Sequence, residues 1–195
     1  MIILPLALIV LAGAAAQAPS SSLQVVLLVD TSGSMTNDVP FRRGDRTFLT
    51  DATAGLEAAL RPGESRSITT FGNGGASPLW DALDGVVRSL HHVSGPRAIL
   101  VITDGRATGN TLSFAEIRQR LRQARVPVFF ICAERPKDLE RADPSIRLRE
   151  LAAATGGHYA GIKNNLGIRP TKPDETRRAI RDAIAAMRKV AARQD

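Results

Sequence analysis

Short apolar runs alternate along the chain with longer segments in which apolar residues recur at helical spacing. The apolar runs predict five strands, at residues 25–29, 68–71, 98–102, 126–132 and 158–162. Several of these runs are apolar throughout, which is typical of strands in a sheet that is covered on both faces. The pattern therefore indicates a buried sheet at the centre of the molecule.

Helical spacing of apolar residues predicts five helices between and after these strands. They lie at residues 48–60, 79–90, 114–124, 146–154 and about 174–191. Pro40 and Gly44 leave the start of the first helix open between about residues 39 and 46. Strands that alternate with helices imply right-handed crossovers, so the sequence predicts an α/β fold with a doubly wound, mostly parallel sheet flanked by helices.

The N-terminal segment is apolar and carries no charge before Asp30. Residues 2–11 form an apolar run, and small residues follow that offer cleavage after Ala16 or Ala18, as in a secretory signal peptide. The segment lacks a Lys or Arg at its start, so an uncleaved anchor and a misassigned start remain alternatives, although about 15 apolar residues are short for a span of about 20. We expect residues 1–18 to be a signal peptide or N-terminal anchor. The protein is then exported, to the periplasm or the extracellular space, and is membrane-associated only if this segment is not cleaved.

The composition fits one domain, which we place at residues 23–193. A chain of 195 residues, 44% hydrophobic and 23% charged, is large enough for one well-formed core and small for two. The net charge of +7 favours acidic partners. The arginines of the chain are dispersed over several segments, and the chain has only one Trp and one Tyr that could stack on bases. Nucleic acid is therefore not an expected partner. The single cysteine, Cys132, is interpreted as a buried core residue.

Five polar residues are predicted to meet at one edge of the sheet. Asp30 ends the first strand and Asp104 follows the third, and ligands of such sheets bind beyond the carboxyl ends of the strands. If these two strands are neighbours, the two carboxylates converge on one crevice. Ser32 and Ser34 are two residues apart, so an extended or gently turned loop would point both hydroxyls to one side. Ser77 lies at a predicted helix N-cap, at the same end of the sheet.

Two carboxylates, three hydroxyls and water form an all-oxygen set. Such a set suits a hard divalent cation, Mg²⁺ above all, with Mn²⁺ or Ca²⁺ as alternatives. Each residue alone has an ordinary structural explanation, as a helix start, a turn or a self-capped loop. Their joint placement at strand ends favours a metal site.

The three segments "DTSGSM", "ASPLWDAL" and "ILVITDGRATG" resemble the metal-ion-dependent adhesion site of a von Willebrand factor type A (vWA) domain. The resemblance implies that Asp30, Ser32 and Ser34 fill the family's Asp-x-Ser-x-Ser motif and that Asp104 supplies its last aspartate. Ser77 stands where the family normally has threonine, so it keeps the ligating hydroxyl and loses the methyl that restrains its rotamer. Further on, "VPVFFICA" and "LRELAAATGGHYAGI" resemble later segments of bacterial members.

The resemblance implies a binding module and not an enzyme. Family members bind a protein ligand whose Glu or Asp completes the coordination of the metal. The hydroxyls ligate directly, and the aspartates ligate directly or through water. Only a few residues separate "ITTFG" from "ASPLWDAL", where family members commonly have an antiparallel edge strand. We therefore expect that edge strand to be absent or vestigial.

Two alternatives use the same residues differently. A magnesium-dependent phosphatase of the haloacid-dehalogenase type would use Asp30 as nucleophile, but it needs a second aspartate two residues later, where this chain has Ser32. A membrane-anchored assembly factor would keep the metal site and hold residues 1–18 in the bilayer.

The three histidines lie at a predicted helix end and in a predicted strand, where structural roles account for them.

Overall fold

The computed structural model describes residues 22–36, 48–73, 75–134, 143–163 and 173–193. The described strands are β1 (Gln24–Asp30), β2 (Ser65–Phe71), β3 (Arg97–Thr103), β4 (Val128–Glu134) and β5 (Tyr159–Lys163). The described helices are α1 (Gly33–Thr36), α2 (Phe48–Ala59), α3 (Leu79–Leu90), α4 (Phe114–Ala124), α5 (Ser145–Thr155) and α6 (Pro173–Ala191). Residues 1–18 lie outside this description, and within it no helix is long and apolar enough to cross a membrane.

The strands form one parallel sheet in the order β2-β1-β3-β4-β5. Helices α3, α4 and α5 pack on one face of this sheet, and α2 and α6 pack on the other. The predicted α/β fold with a doubly wound sheet is confirmed. The direction of winding reverses between β1 and β3, so a crevice forms where the carboxyl ends of these two strands meet.

The central strand β1 shows how the sheet is covered on both faces. Successive side chains of a strand point to opposite faces. Val26 and Leu28 enter the core beneath α3, α4 and α5, whereas Val25, Leu27 and Val29 enter the core beneath α2 and α6. Burial on both faces explains why the apolar runs are continuous and do not alternate with polar residues.

Strand β2 lies at one edge of the sheet and begins at Ser65, earlier than the predicted residue 68. Its residues 65–70 are exposed and only Phe71 is buried, so its first half carries no apolar run that a sequence pattern could detect. Among the described residues the sheet contains parallel strands alone, with one isolated antiparallel bridge between Asn73 and Ala76. The prediction of an absent or vestigial antiparallel edge strand is confirmed.

The starts of β4 and α2 are two further boundaries that bear on the prediction. Strand β4 begins at Val128 and not at residue 126, because Pro127 has no backbone N–H to donate to a sheet ladder. Helix α2 is described from Phe48, and its predicted start at residues 39–46 lies outside the described residues.

Candidate metal centre

The two predicted carboxylates lie at the crevice where the strand order reverses. Strands β1 and β3 are parallel neighbours with Val29 opposite Ile102, so the two strands end side by side at the same edge of the sheet. Asp30 is the last residue of β1, and Asp104 directly follows β3. Both side chains are buried, with 3% and 5% of their surface exposed. The expectation that the two strands are neighbours is confirmed.

Asp30 joins all three segments of the candidate site. Its Oδ1 accepts a hydrogen bond from the backbone N–H of Ser32 at 2.9 Å. Its Oδ2 accepts from the hydroxyl of Ser77 at 2.9 Å and from the hydroxyl of Thr103 at 2.7 Å. A carboxylate that accepts three buried hydrogen bonds is fixed in one orientation.

The loop after β1 is a helical turn, and the predicted extended or gently turned loop is wrong. Residues Gly33–Thr36 form the short helix α1. The turn is closed by a hydrogen bond from the N–H of Met35 to the carbonyl of Ser32, and the Met35 side chain is buried in the core beneath α2 and α6. The helical turn thus places Met35 in the core. The hydroxyls of Ser32 and Ser34 still face each other, with 3.2 Å between their oxygens.

Ser77 does not act as the helix N-cap that the sequence predicts. Helix α3 begins at Leu79, its N-cap residue is Pro78, and no side chain caps it. The Ser77 hydroxyl instead donates across the site to Asp30. Since a hydroxyl has one proton and two lone pairs, this donation leaves the lone pairs of Ser77 available to a cation.

The loop after β3 is attached to the start of α3 by hydrogen bonds from backbone N–H groups to side-chain and backbone oxygens. The N–H of Ser77 donates to the hydroxyl of Thr108 at 3.0 Å, and the N–H of Thr108 donates back to the carbonyl of Ser77 at 2.9 Å. The N–H of Trp80 donates to the side-chain oxygen of Asn110 at 2.7 Å. Asp104 begins this loop, and its Oδ1 accepts from the N–H of Arg106 at 3.0 Å. The second and third segments are therefore held in fixed register.

Asp81, in the first turn of α3, completes this attachment. Its carboxylate accepts the N–H groups of Thr111 and Leu112 at 2.7 and 2.9 Å. Burial acts to raise the pKa of Asp81, but the two backbone hydrogen bonds outweigh it and the pKa lies below its usual value. The ionised carboxylate is thus the form that holds the loop.

Two residues of the site were not predicted from the sequence. Thr103 is fully buried, donates to Asp30 and accepts the N–H of Gly105 at 3.0 Å. Gly72, after β2, has a φ of +87° and lies so close to the first segment that an added Cβ would stand 2.9 Å from the backbone nitrogen of Ser32. The available signals were a hydroxyl at the end of the apolar strand β3 and a glycine directly after β2.

The donor set fits a hard divalent cation. The predicted ligands Asp30, Ser32, Ser34, Ser77 and Asp104 offer oxygen atoms alone. Among the described residues no group of three or more His, Cys, Asp or Glu could hold a metal ion. A cation at this edge would therefore rely on the serine hydroxyls in addition to the two carboxylates.

Comparison with known proteins places the fold. No protein-family model and no curated protein matches the chain. The conserved hypothetical protein BatB from Bacteroides thetaiotaomicron is a similar solved structure, with 15% identity and a TM-score of 0.54 over 86% of this chain and 100% of that chain. The ArnB paralog VWA2 from Sulfolobus acidocaldarius is another, with 17% identity and a TM-score of 0.52 over 83% of this chain and 44% of that chain.

The fold is a vWA fold. At these identities the similarity concerns the fold alone, and this chain spans less than half of VWA2. Within this fold, "DTSGSM" starts at the last residue of β1, "ASPLWDAL" contains the start of α3, and "ILVITDGRATG" spans the end of β3 and the loop after it. The hydrogen bonds of Asp30 bring these three segments together.

Residues assigned structural roles from the sequence lie away from this site or in the core. Cys132 is 1% exposed, and burial raises the pKa of its thiol to about 12, so the predicted core role is confirmed. His91 and His92 lie just beyond the end of α3, and their rings pack edge to face with 5.0 Å between the ring centroids. His158 is exposed and directly precedes β5, so its predicted place inside the strand is off by one residue.

Replacing Thr103 with valine tests its role in orienting Asp30. The change keeps the side-chain shape, removes one hydrogen bond to the carboxylate and leaves the N–H of Gly105 without its acceptor. We expect the free energy of unfolding, measured by urea denaturation, to fall by about 1–3 kcal/mol. We also expect a smaller Mg²⁺-induced increase in stability. Thr103→Ser keeps the hydroxyl and should retain the full Mg²⁺ response, and an equal loss in both variants would contradict this role.

Proposed function

We propose that this chain is a metal-dependent protein-binding module. The cation, Mg²⁺ or another hard divalent ion, would be held by Asp30, Ser32, Ser34, Ser77 and Asp104. The observation that supports this most is the position of Asp30, whose carboxylate gathers three separate segments at the switch point of the sheet. Purely structural capping would not require two carboxylates and three hydroxyls at the place where such folds bind ligands.

The charge balance favours an anionic partner group. The two carboxylates neutralise a divalent cation, which, when bound, supplies an electrophilic centre with room for a further oxygen ligand. Asp30 and Ser77 are held by a buried hydrogen bond, so their side chains lose little conformational freedom when a cation binds. A Glu or Asp side chain of a partner protein matches this requirement, and the net charge of +7 would speed the encounter with an acidic surface.

Binding is favoured over hydrolysis by the residue that follows Asp30 by two positions. A phosphatase that used Asp30 as nucleophile would need a second carboxylate there as acid and base. Ser32 occupies that position, and its hydroxyl faces Ser34. We therefore propose no enzymatic activity for this site.

The function is tested by metal-dependent capture. Because we propose export, the immobilised protein is incubated with periplasmic and extracellular proteins of its source, in Mg²⁺ or in EDTA. We expect one protein to be retained in Mg²⁺ and released by EDTA. Asp104→Asn should abolish this retention, while the matched variant Asp182→Asn, on the exposed side of α6, should not.

The partner's own acidic residue provides the second half of the test. Replacing each conspicuous Asp or Glu of the retained protein by its amide should identify one whose loss removes the Mg²⁺-dependent part of binding. Retention that is equal in EDTA, or unchanged in Asp104→Asn, would contradict the proposed function.

A further inference from the structure

Helix α4 carries a row of exposed arginines on one side. Arg118 and Arg122 are four residues apart and Arg125 follows three residues later, a spacing that places their side chains along one stripe of the helix. All three are exposed. We refer to these three residues as the arginine row.

The arginine row is only partly neutralised. Arg118 pairs with Glu150 of α5 at 3.0 Å. Within the described part of the chain, Arg122 and Arg125 form no ion pair. The fourth arginine of the helix, Arg120, points elsewhere and pairs with the buried Asp84 of α3 at 2.8 Å. Two adjacent positive charges therefore remain available on this side of α4.

The arginine row lines a shallow surface concavity of about 620 Å³. The lining residues all belong to α4 and its C-cap, and they are Ala115, Arg118, Gln119, Arg122, Gln123 and Arg125. Apart from Ala115, these residues carry guanidinium or amide groups, so this surface offers hydrogen-bond donors together with positive charge. Such a surface matches a ligand that is rich in carboxylates.

The backbone of Arg125 gives independent support for a role of its side chain. Arg125 is the C-cap residue of α4 and has a φ of +54°, the left-handed conformation that glycine adopts most readily at this position. Among the described residues it is the only non-glycine residue with a positive φ. Glycine would fit the fold better, so the guanidinium is present in spite of the backbone strain.

We propose that the arginine row docks an acidic polypeptide segment. Arginine binds carboxylates with two parallel hydrogen bonds, which fits the exposed guanidinium groups of Arg122 and Arg125. A polypeptide is favoured over a nucleic acid because none of the residues that line this concavity is aromatic, so the surface offers no ring on which a base could stack.

The arginine row and the candidate metal centre lie on connected parts of the chain. Helix α4 begins at Phe114, directly after the loop that Asp104 starts, and rises by about 1.5 Å per residue. The arginine row therefore extends from about 6 Å to about 16 Å along the helix from its beginning. Docking on the arginine row does not rest on the function proposed above.

Docking is tested with a fluorescein-labelled oligoglutamate peptide, titrated with the full chain in EDTA at fixed salt and followed by fluorescence anisotropy. The double variant Arg122→Glu, Arg125→Glu should bind at least about 10-fold more weakly than wild type. The matched double variant Arg178→Glu, Arg181→Glu makes the same change of net charge on exposed residues of α6 and should bind within about 2-fold of wild type. Equal losses in the two double variants would overturn the proposal, because net charge alone would then explain binding.

Arg125→Gly separates docking from folding. Because glycine relieves the left-handed backbone, we expect the melting temperature to rise by about 2–4 °C while peptide affinity falls. An unchanged affinity would overturn the role of Arg125. A single-stranded oligonucleotide of equal charge that binds more tightly than oligoglutamate, with the same dependence on the arginine row, would overturn the polypeptide class.

The proposed function fails separately from this inference. Loss of the Mg²⁺-dependent capture with an intact effect of the arginine row in EDTA would refute the metal-dependent function alone. An absent effect of the arginine row in EDTA refutes docking, whatever the metal response.

Discussion

Replacing Gly72 with alanine should lower the free energy of unfolding by about 2–5 kcal/mol and abolish the response to Mg²⁺. The backbone at Gly72 has a φ of +87°, which costs a residue with a Cβ about 1–2 kcal/mol. The added Cβ would also stand 2.9 Å from the backbone nitrogen of Ser32 and 3.1 Å from Oδ1 of Asp30. Relief of that contact requires the first segment of the site to move, at a cost of about 1–3 kcal/mol.

Gly63→Ala is the matched control for this prediction. Gly63 has a φ of +90°, and an added Cβ would meet nothing within 4 Å. Its replacement should therefore cost only the backbone contribution of about 1–2 kcal/mol and leave the Mg²⁺ response intact. Urea denaturation with and without Mg²⁺ measures both quantities, and equal effects in the two variants would show that Gly72 has no special relation to the site.

Asp30→Asn should give a folded protein that no longer responds to Mg²⁺. The amide keeps its oxygen as acceptor of the Ser32 N–H, and its Nδ2 donates to the hydroxyl oxygens of Ser77 and Thr103. The protons of these two hydroxyls lose the Asp30 oxygen that accepted them in wild type. We expect the metal-free stability to fall by about 1–3 kcal/mol, less than in an alanine variant that offers no polar group at all. Wild type should gain about 2.7 kcal/mol at a hundredfold excess of Mg²⁺ over its dissociation constant, and the variant should gain nothing.

Asparagine is the informative replacement because alanine would confound two effects. Asp30 lies at a strand end, a position that on sequence grounds alone is dispensable for folding. The structure shows that Asp30 is the acceptor of three buried donors, and each donor left without a partner costs about 1–3 kcal/mol. Asp30→Ala is therefore expected to destabilise the fold even without metal. An Mg²⁺ response that survives in Asp30→Asn would remove Asp30 from the candidate metal centre.

The strands that the sequence predicted most fully are those whose side chains are buried on both faces of the sheet. Strands β1 and β3 read as continuous apolar runs because both faces of the central sheet are covered. The first half of β2 gave no such pattern because residues 65–70 are exposed at the sheet edge. Exposure at an edge removes the requirement for apolar side chains, and with it the signal.

The parts of the site that escaped prediction depend on contacts between distant segments. Asp30 and Asp104 could be found because strand ends are visible in the sequence. The hydrogen bonds of Asp30 to Ser77 and to Thr103 join residues that are 47 and 73 positions apart, so no local sequence pattern predicts them. The local sequence predicts Ser77 as a helix N-cap. In the structure its hydroxyl instead donates a hydrogen bond to the buried carboxylate of Asp30. The helical turn after β1 likewise places Met35 in the core beneath α2 and α6, a tertiary contact that no local pattern shows.

Mn²⁺ titration of isotope-labelled protein, followed by paramagnetic broadening of its amide NMR signals, tests most directly whether a cation binds at this edge of the sheet. We expect the amide signals of Ser32, Ser77 and Gly105 to broaden first, while those of Gln24 and Arg97, at the opposite ends of β1 and β3, stay sharp. The broadening should disappear in Asp30→Asn. Broadening that is strongest elsewhere on the molecule, or that persists unchanged in Asp30→Asn, would contradict a metal centre built on Asp30.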